Sequence, residues 1–62
     1  MTRDQELWGV AVWLEKTHGD RGAVHIAEQI ARLAERGDEE GIAMWRSVAE
    51  RYDKLRERTS LH

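Results

Sequence analysis

The sequence of 62 residues contains neither cysteine nor proline. Without cysteine, the chain can form neither a disulfide framework nor a thiolate metal site, so its stability must come from packing within the chain or against another chain. Without proline, the main helix-breaking residue is absent from every interior position. A chain this short is expected to form a single domain near the lower size limit for one hydrophobic core.

Long hydrophobic runs are also missing. The longest uncharged run covers residues 7–14, far short of the roughly 20 apolar residues that a membrane-spanning helix needs. Glu15 and Lys16 follow it directly, and the sequence lacks the basic flank and small-residue cleavage site of a signal peptide. We therefore expect no membrane span and a cytoplasmic location. The formal net charge of −2 argues against a general polyanion binder, although it permits a local basic patch.

A capping-box pattern predicts the start of the first helix. Thr2 and Gln5 have the Thr-x-x-Gln spacing in which each side chain accepts a hydrogen bond from the backbone of the other residue. We therefore expect a helix over 3–18. At about 100° per residue, its main apolar stripe consists of Leu7, Val10, Ala11 and Leu14. Trp8 and Val12 lie on a strip adjoining this stripe, and Trp13 lies nearly opposite it.

Two Gly-Asp pairs predict the other helix boundaries. Glycine takes the left-handed conformation that ends a helix at little cost, and aspartate is a good N-cap for the helix that follows. Gly19-Asp20 and Gly37-Asp38 therefore delimit a second helix over 21–36 and a third over 39–58. Residues 59–62 are expected to form a frayed tail.

Helical periodicity then predicts the fold. The second helix has an apolar face made of Ala23, Ile26, Ala27, Ile30, Leu33 and Ala34, and His25 lies on its polar face. The third helix has a stripe made of Ile42, Trp45, Val48, Ala49, Tyr52 and Leu55. Short connections make these helices antiparallel neighbours. We predict an all-α, compact three-helix bundle, one domain over 1–62, with a mutually buried core of Ile26, Ile30, Trp45, Val48 and Tyr52.

The tryptophans provide the candidate protein interface. Trp8 and Trp45 lie beside or within core stripes, which favours core filling for both. Trp13 points away from the main stripe of its helix, so either a neighbouring helix covers it or it anchors a partner. We take Trp13, with Trp8 and Val12, as the candidate interface.

Metal binding and catalysis have little support. His18 and His25 bracket a turn, but a zinc site needs more convergent ligands, and we expect His18 to interact with the carbonyl end of the first helix instead. Ser47 and Ser60 have no neighbouring base that would activate them, and no glycine-rich phosphate loop follows a strand. We therefore expect no metal, no cofactor and no enzymatic activity.

A basic strip on the third helix supports an alternative function. Arg51, Lys54 and Arg58 lie on one side of its apolar stripe and could contact nucleic-acid phosphates. The start of this helix is acidic, however, where a DNA-recognition helix carries its base-reading side chains. Salt distinguishes the two hypotheses, because phosphate binding weakens steeply with salt and an apolar interface hardly changes.

The chain resembles a family of short alphaproteobacterial proteins that carries only a domain-of-unknown-function label. The shared residues are Trp8, Ala11, Glu15, His18-Gly19, Ile26-Ala27-Glu28, Ile30, Gly37-Asp38 and 41–45. This resemblance implies a bacterial, cytoplasmic, stand-alone protein but no activity. Our leading hypothesis is a non-enzymatic helical module that binds another protein or itself. Apolar residues lie around almost the whole circumference of the first helix, which is more than two neighbouring helices need to cover. The alternative is a small transcriptional regulator or nucleic-acid-associated protein.

Overall fold

A computed structural model of the chain describes residues 2–60, with backbone only at 59 and 60. These residues form α1 (Arg3–His18), a 3-10 turn (Gly19–Arg21), α2 (Gly22–Arg36) and α3 (Glu39–Ser60). The predicted all-α class is thus confirmed. Within the described part of the chain, no helix is both long and apolar enough to span a membrane.

The predicted capping box starts α1. The Thr2 hydroxyl accepts a hydrogen bond from the Gln5 amide at 3.1 Å, and the Gln5 side-chain oxygen accepts one from the Thr2 amide, also at 3.1 Å. Two of the free donors at the helix start are therefore satisfied by side chains. At the other end, Gly19 adopts a positive φ of 57° and closes the helix.

The joint between α1 and α2 differs from the prediction. We expected Asp20 to cap a helix beginning at Arg21, but a 3-10 turn intervenes, α2 begins at Gly22 and its N-cap residue is Arg21, which makes no side-chain capping bond. The cause is a long-range contact: the Tyr52 hydroxyl donates to the Gly19 carbonyl, and the Tyr52 ring lies against Gly22. Packing on α3 therefore sets the start of α2.

The joint between α2 and α3 follows the prediction. Gly37 adopts a left-handed conformation with a φ of 72°, and the Asp38 amide donates to the Leu33 carbonyl at 2.9 Å. The Asp38 carboxylate accepts from the Gly41 amide at 2.9 Å, which caps α3. The helix continues to Ser60, beyond its predicted end at 58, so the tail predicted from 59 is wrong for residues 59 and 60. Residues 61 and 62 lie outside the described residues.

Helix α3 lies at the centre of the packing. Helices α1 and α2 each pack along α3, and they contact one another much less. Asp4 meets Arg51 and Glu15 meets Arg56, so α1 runs in the same direction as α3. The buried apolar residues come from all three helices and are Leu7, Ala11, Leu14, Ile26, Val48 and Tyr52.

The predicted core is correct only in part. Ile30 and Trp45 pack against the buried residues but are themselves only partly buried. Ala23, Ala27 and Ala34, expected on the core face of α2, are exposed. The reason is that α3 covers one side of α2's apolar face, whereas α1 contacts α2 much less than it contacts α3.

Candidate protein-interaction surface

Trp13 is half exposed, and the rest of its ring packs against two histidine rings. Its side chain is 50% exposed, which is a large apolar area to leave in water. Its ring meets the ring of His18 edge to face, with centroids 5.4 Å apart, and that of His25 at 6.1 Å. One side of the indole is therefore held by the protein while the other is free to meet a partner.

The two histidines beneath Trp13 are stacked on each other. The His18 and His25 ring centroids lie 4.6 Å apart, and the ring planes differ by only 18°. His25 also meets Trp45 of α3 edge to face at 5.9 Å. We call Trp13, His18, His25 and Trp45 the aromatic cluster.

The cluster bears on two predictions about the histidines. His25 was predicted on the polar face of α2, and it does line the groove beside Glu28, but it is half-buried because other aromatic rings cover it. His18 was expected to interact with the carbonyl end of α1, but its ring stacks on His25 instead. The 3-10 turn is the reason, because it folds the last turn of α1 back against the first turns of α2.

The histidine geometry does not suit a shared metal ion. A metal binds imidazole nitrogen in the plane of the ring, and two nearly parallel stacked planes do not converge on one point. Glu15 and His18 have the spacing of a ligand pair on one helix face, but the Glu15 carboxylate binds Arg56 at 3.1 Å. Among residues 2–60, no group of three or more histidine, aspartate or glutamate side chains could hold a metal ion.

An open groove of about 340 Å³ lies beside the cluster, between the end of α1 and the first turns of α2. Its lining residues are Thr17, His18, Arg21, Val24, His25 and Glu28. Val24 is 56% exposed, more than Trp13 or Val12. Sequence reasoning missed this surface because it treated α2 as having one apolar face. The available signal was Val24, a large apolar residue that lies outside the apolar face predicted for α2.

Trp8 and Trp13 lie against different helices. Trp8 is half-buried, and the guanidinium carbon of Arg51 lies 5.8 Å from its ring centroid. Val12, one turn further along that side of α1, is 38% exposed. The ring of Trp13 contacts the histidines on the α2 side, so Trp13 and Trp8 face different neighbouring helices.

One residue of the candidate basic strip, Arg51, is engaged in contacts within the chain. Arg51 forms an ion pair with Asp4 at 2.6 Å and donates to the Ser47 carbonyl at 2.9 Å, and its side chain is only 19% exposed. It therefore fastens α1 to α3. Lys54 and Arg58 are exposed, which leaves only these two of the three predicted phosphate-binding groups on the surface.

A second ion pair joins the same two helices. An Arg56 guanidinium nitrogen donates to both carboxylate oxygens of Glu15, at 3.2 and 3.1 Å. This hydrogen bond raises the pKa of Arg56 above its already high ordinary value, so the arginine stays charged.

A protein-family model matches residues 3–60, nearly the whole chain, and it describes a family of unknown function (DUF6961). No curated protein and no solved structure is similar enough to this chain to count as a match.

Proposed function

The chain belongs to this family of unknown function, and we propose that it is a non-enzymatic protein-interaction module that binds another protein or a second copy of itself. The proposal includes a three-helix bundle as the scaffold, a cytoplasmic location and an alphaproteobacterial origin. Composition and periodicity support the first two parts, and the resemblance supports the third.

The half-exposed ring of Trp13 carries the proposal. Tryptophan is among the residues most enriched at binding hot spots, where a buried ring contributes about 2 kcal/mol or more. The contacts of Trp13 with His18 and His25 hold the indole in one place. Little side-chain entropy is then lost on binding, which favours affinity.

The groove beside Trp13 extends the surface. It places the exposed Val24 between Arg21 and Glu28, an arrangement of apolar centre and polar rim that is typical of protein interfaces. The engagement of Arg51 with Asp4 favours this proposal over nucleic-acid binding, because it removes one of the cations on which that alternative depends.

Replacement of Trp13 by alanine tests the proposal. Because half of the ring is already exposed, we expect Trp13→Ala to lower the free energy of unfolding by about 1–2 kcal/mol, less than the roughly 3–5 kcal/mol typical of a buried tryptophan, a melting-temperature shift of roughly 4–16 °C. Affinity for the partner, or for self-association, should fall about 30-fold, as the loss of about 2 kcal/mol requires. Isothermal calorimetry or sedimentation would measure this affinity, and circular dichroism would measure the stability.

Trp8→Ala is the matched control. Trp8 packs under Arg51 between α1 and α3, so its loss should lower stability more than it lowers affinity. If Trp13→Ala unfolds the domain, or leaves all binding unchanged, Trp13 does not anchor a partner and the proposal fails.

A further inference from the structure

We infer that a second copy of this chain docks on the surface formed by Arg21, the last residue of the 3-10 turn, and by Val24, His25 and Glu28 of α2, antiparallel to the first copy and related to it by a two-fold axis. We call these four residues the α2 face. The inference rests on the proposed function, and it names the partner that the proposed function leaves open.

The spacing of the α2 face places its residues in one row. Val24, His25 and Glu28 lie on one side of α2, and Arg21, in the 3-10 turn just before the helix, lines the same groove. Val24 stands at the middle of this row and is the most exposed of the large apolar residues, at 56%. Helix α3 packs on the Gly22 and Ile26 side of α2, so Val24 is left without an apolar neighbour from α3.

The charges at the two ends of the row are opposite and complementary. Arg21 and Glu28 are both exposed, and neither forms an ion pair with any other residue in the range 2–60. Glu28 lies about two turns beyond Arg21, roughly 10 Å along the axis, and the two side chains form no ion pair with each other. They therefore present one positive and one negative end to a partner.

A two-fold axis satisfies both charges at once. In an isologous contact between antiparallel helices, residue i faces residue j and residue j faces residue i. With the axis between Val24 and His25, Arg21 of each copy faces Glu28 of the other. A parallel arrangement in register would place like charges together. The charge pattern thus selects the antiparallel second copy.

The groove and Trp13 supply the shape of the contact. The groove of about 340 Å³ runs along the α2 face and gives space for Val24 of the second copy. Trp13 touches His25 at the edge of this face, so its exposed half borders the docking site. Apolar groups then occupy the centre and charged groups the rim, as in other stable interfaces.

The size of the α2 face indicates a weak dimer. A standard interface buries about 800 Å² per partner, and two helical turns with one flanking tryptophan offer less than this from a chain whose whole surface is 4716 Å². Contacts of this size are typical of transient association. We therefore expect a micromolar Kd.

Reciprocal charge reversal tests the inference. Sedimentation of the full chain from about 10 µM to about 1 mM should show a monomer–dimer equilibrium for the wild type. Arg21→Glu alone places two acidic pairs in the dimer, and Glu28→Arg alone places two basic pairs. Each should raise the dimer Kd about tenfold or more. An equimolar mixture of the two variants, and the double variant in one chain, should dimerise again because every contact is opposite in charge.

Lys54→Glu and Glu50→Arg are the matched controls, since both residues are exposed on α3. These variants should dimerise like the wild type. Circular dichroism of each variant establishes that it is folded before its mass is interpreted.

Three outcomes would overturn the inference: a wild type that stays monomeric over the whole range, single reversals that dimerise as well as the wild type, or a mixture that fails to restore the dimer. The proposed function fails separately. If the wild type is monomeric but captures a different protein through Trp13, only the second-copy inference falls. If Trp13→Ala changes neither self-association nor capture, the proposed function falls as well.

Discussion

Replacing Gly22 by alanine would place a methyl group inside the space of the Tyr52 ring. A Cβ built on Gly22 would contact Tyr52 Cε1 and would lie 2.6 Å from Cζ and 2.7 Å from the hydroxyl oxygen. Unbonded carbon atoms pack at about 3.5–4.0 Å, so the ring would have to move. The ring is only 3% exposed, and its hydroxyl donates to the Gly19 carbonyl, so moving it also disturbs the joint between α1 and α2.

Two opposing effects determine the size of the change. Alanine is favoured over glycine within a helix by up to about 1 kcal/mol, and less at the first helical residue. Overpacking a tight site costs about 1–3 kcal/mol, and a lost hydrogen bond about 0.5–1.5 kcal/mol more. We expect Gly22→Ala to lower the free energy of unfolding by about 1–2 kcal/mol. In a domain of this size, each kilocalorie lowers the melting temperature by roughly 4–8 °C.

Gly9→Ala is the matched control for this experiment. Gly9 lies within α1 and is exposed, and a Cβ built on it would meet nothing within 4 Å beyond the backbone of its own helix. Only the higher helix propensity of alanine acts there, so the free energy of unfolding should rise by about 0.5–1 kcal/mol. Urea denaturation followed by circular dichroism measures both variants under the same conditions.

The background Tyr52→Leu isolates the contact itself. Leucine lacks the atoms that the new methyl group would meet, so Gly22→Ala in that background should be neutral or stabilising. A sign reversal between the two backgrounds is the expected double-mutant result. If Gly22→Ala stabilises the wild type as Gly9→Ala does, Tyr52 does not pack on Gly22 and our account of the α1–α2 joint is wrong.

Asp38 and Ile30 allow two further tests of stability. Asp38→Ala removes the acceptor for the Gly41 amide and should lower the free energy of unfolding, measured by urea denaturation, by about 0.5–2 kcal/mol. A variant as stable as the wild type would show that the cap is dispensable. Ile30→Ala should lower the free energy of unfolding by about 2 kcal/mol, the low end of the range for buried isoleucine, because Ile30 is only partly buried. A loss of less than about half a kilocalorie in a thermal melt would place Ile30 outside the core.

Local signals in the sequence determined the helix ends that depend on near neighbours. The capping box at Thr2 and Gln5 and the cap at Asp38 each join residues three positions apart. A hydrogen bond over so short a distance needs no information from the rest of the fold. The same holds for the positive φ of Gly37, which glycine adopts at little cost. These features were predicted correctly for this reason.

Periodicity determined the main apolar stripe of α1 and most of that of α3. Leu7, Ala11 and Leu14 were placed together and are buried together, and Val48 and Tyr52 likewise. Periodicity alone does not state which part of a stripe another helix covers. Ala27 and Ile30 share a predicted face of α2, yet the first is exposed and the second partly buried.

The tertiary structure decided everything that depends on which helices meet. Tyr52 reaches the Gly19 carbonyl from 33 residues away and so shifts the start of α2. Arg51 binds Asp4 across the interface between α1 and α3, so its charge is not available on the basic strip. The stacking of His18 on His25 needs the 3-10 turn that this packing produces. Sequence spacing gives the direction of a side chain around its own helix, whereas its partner depends on how the helices are placed in space.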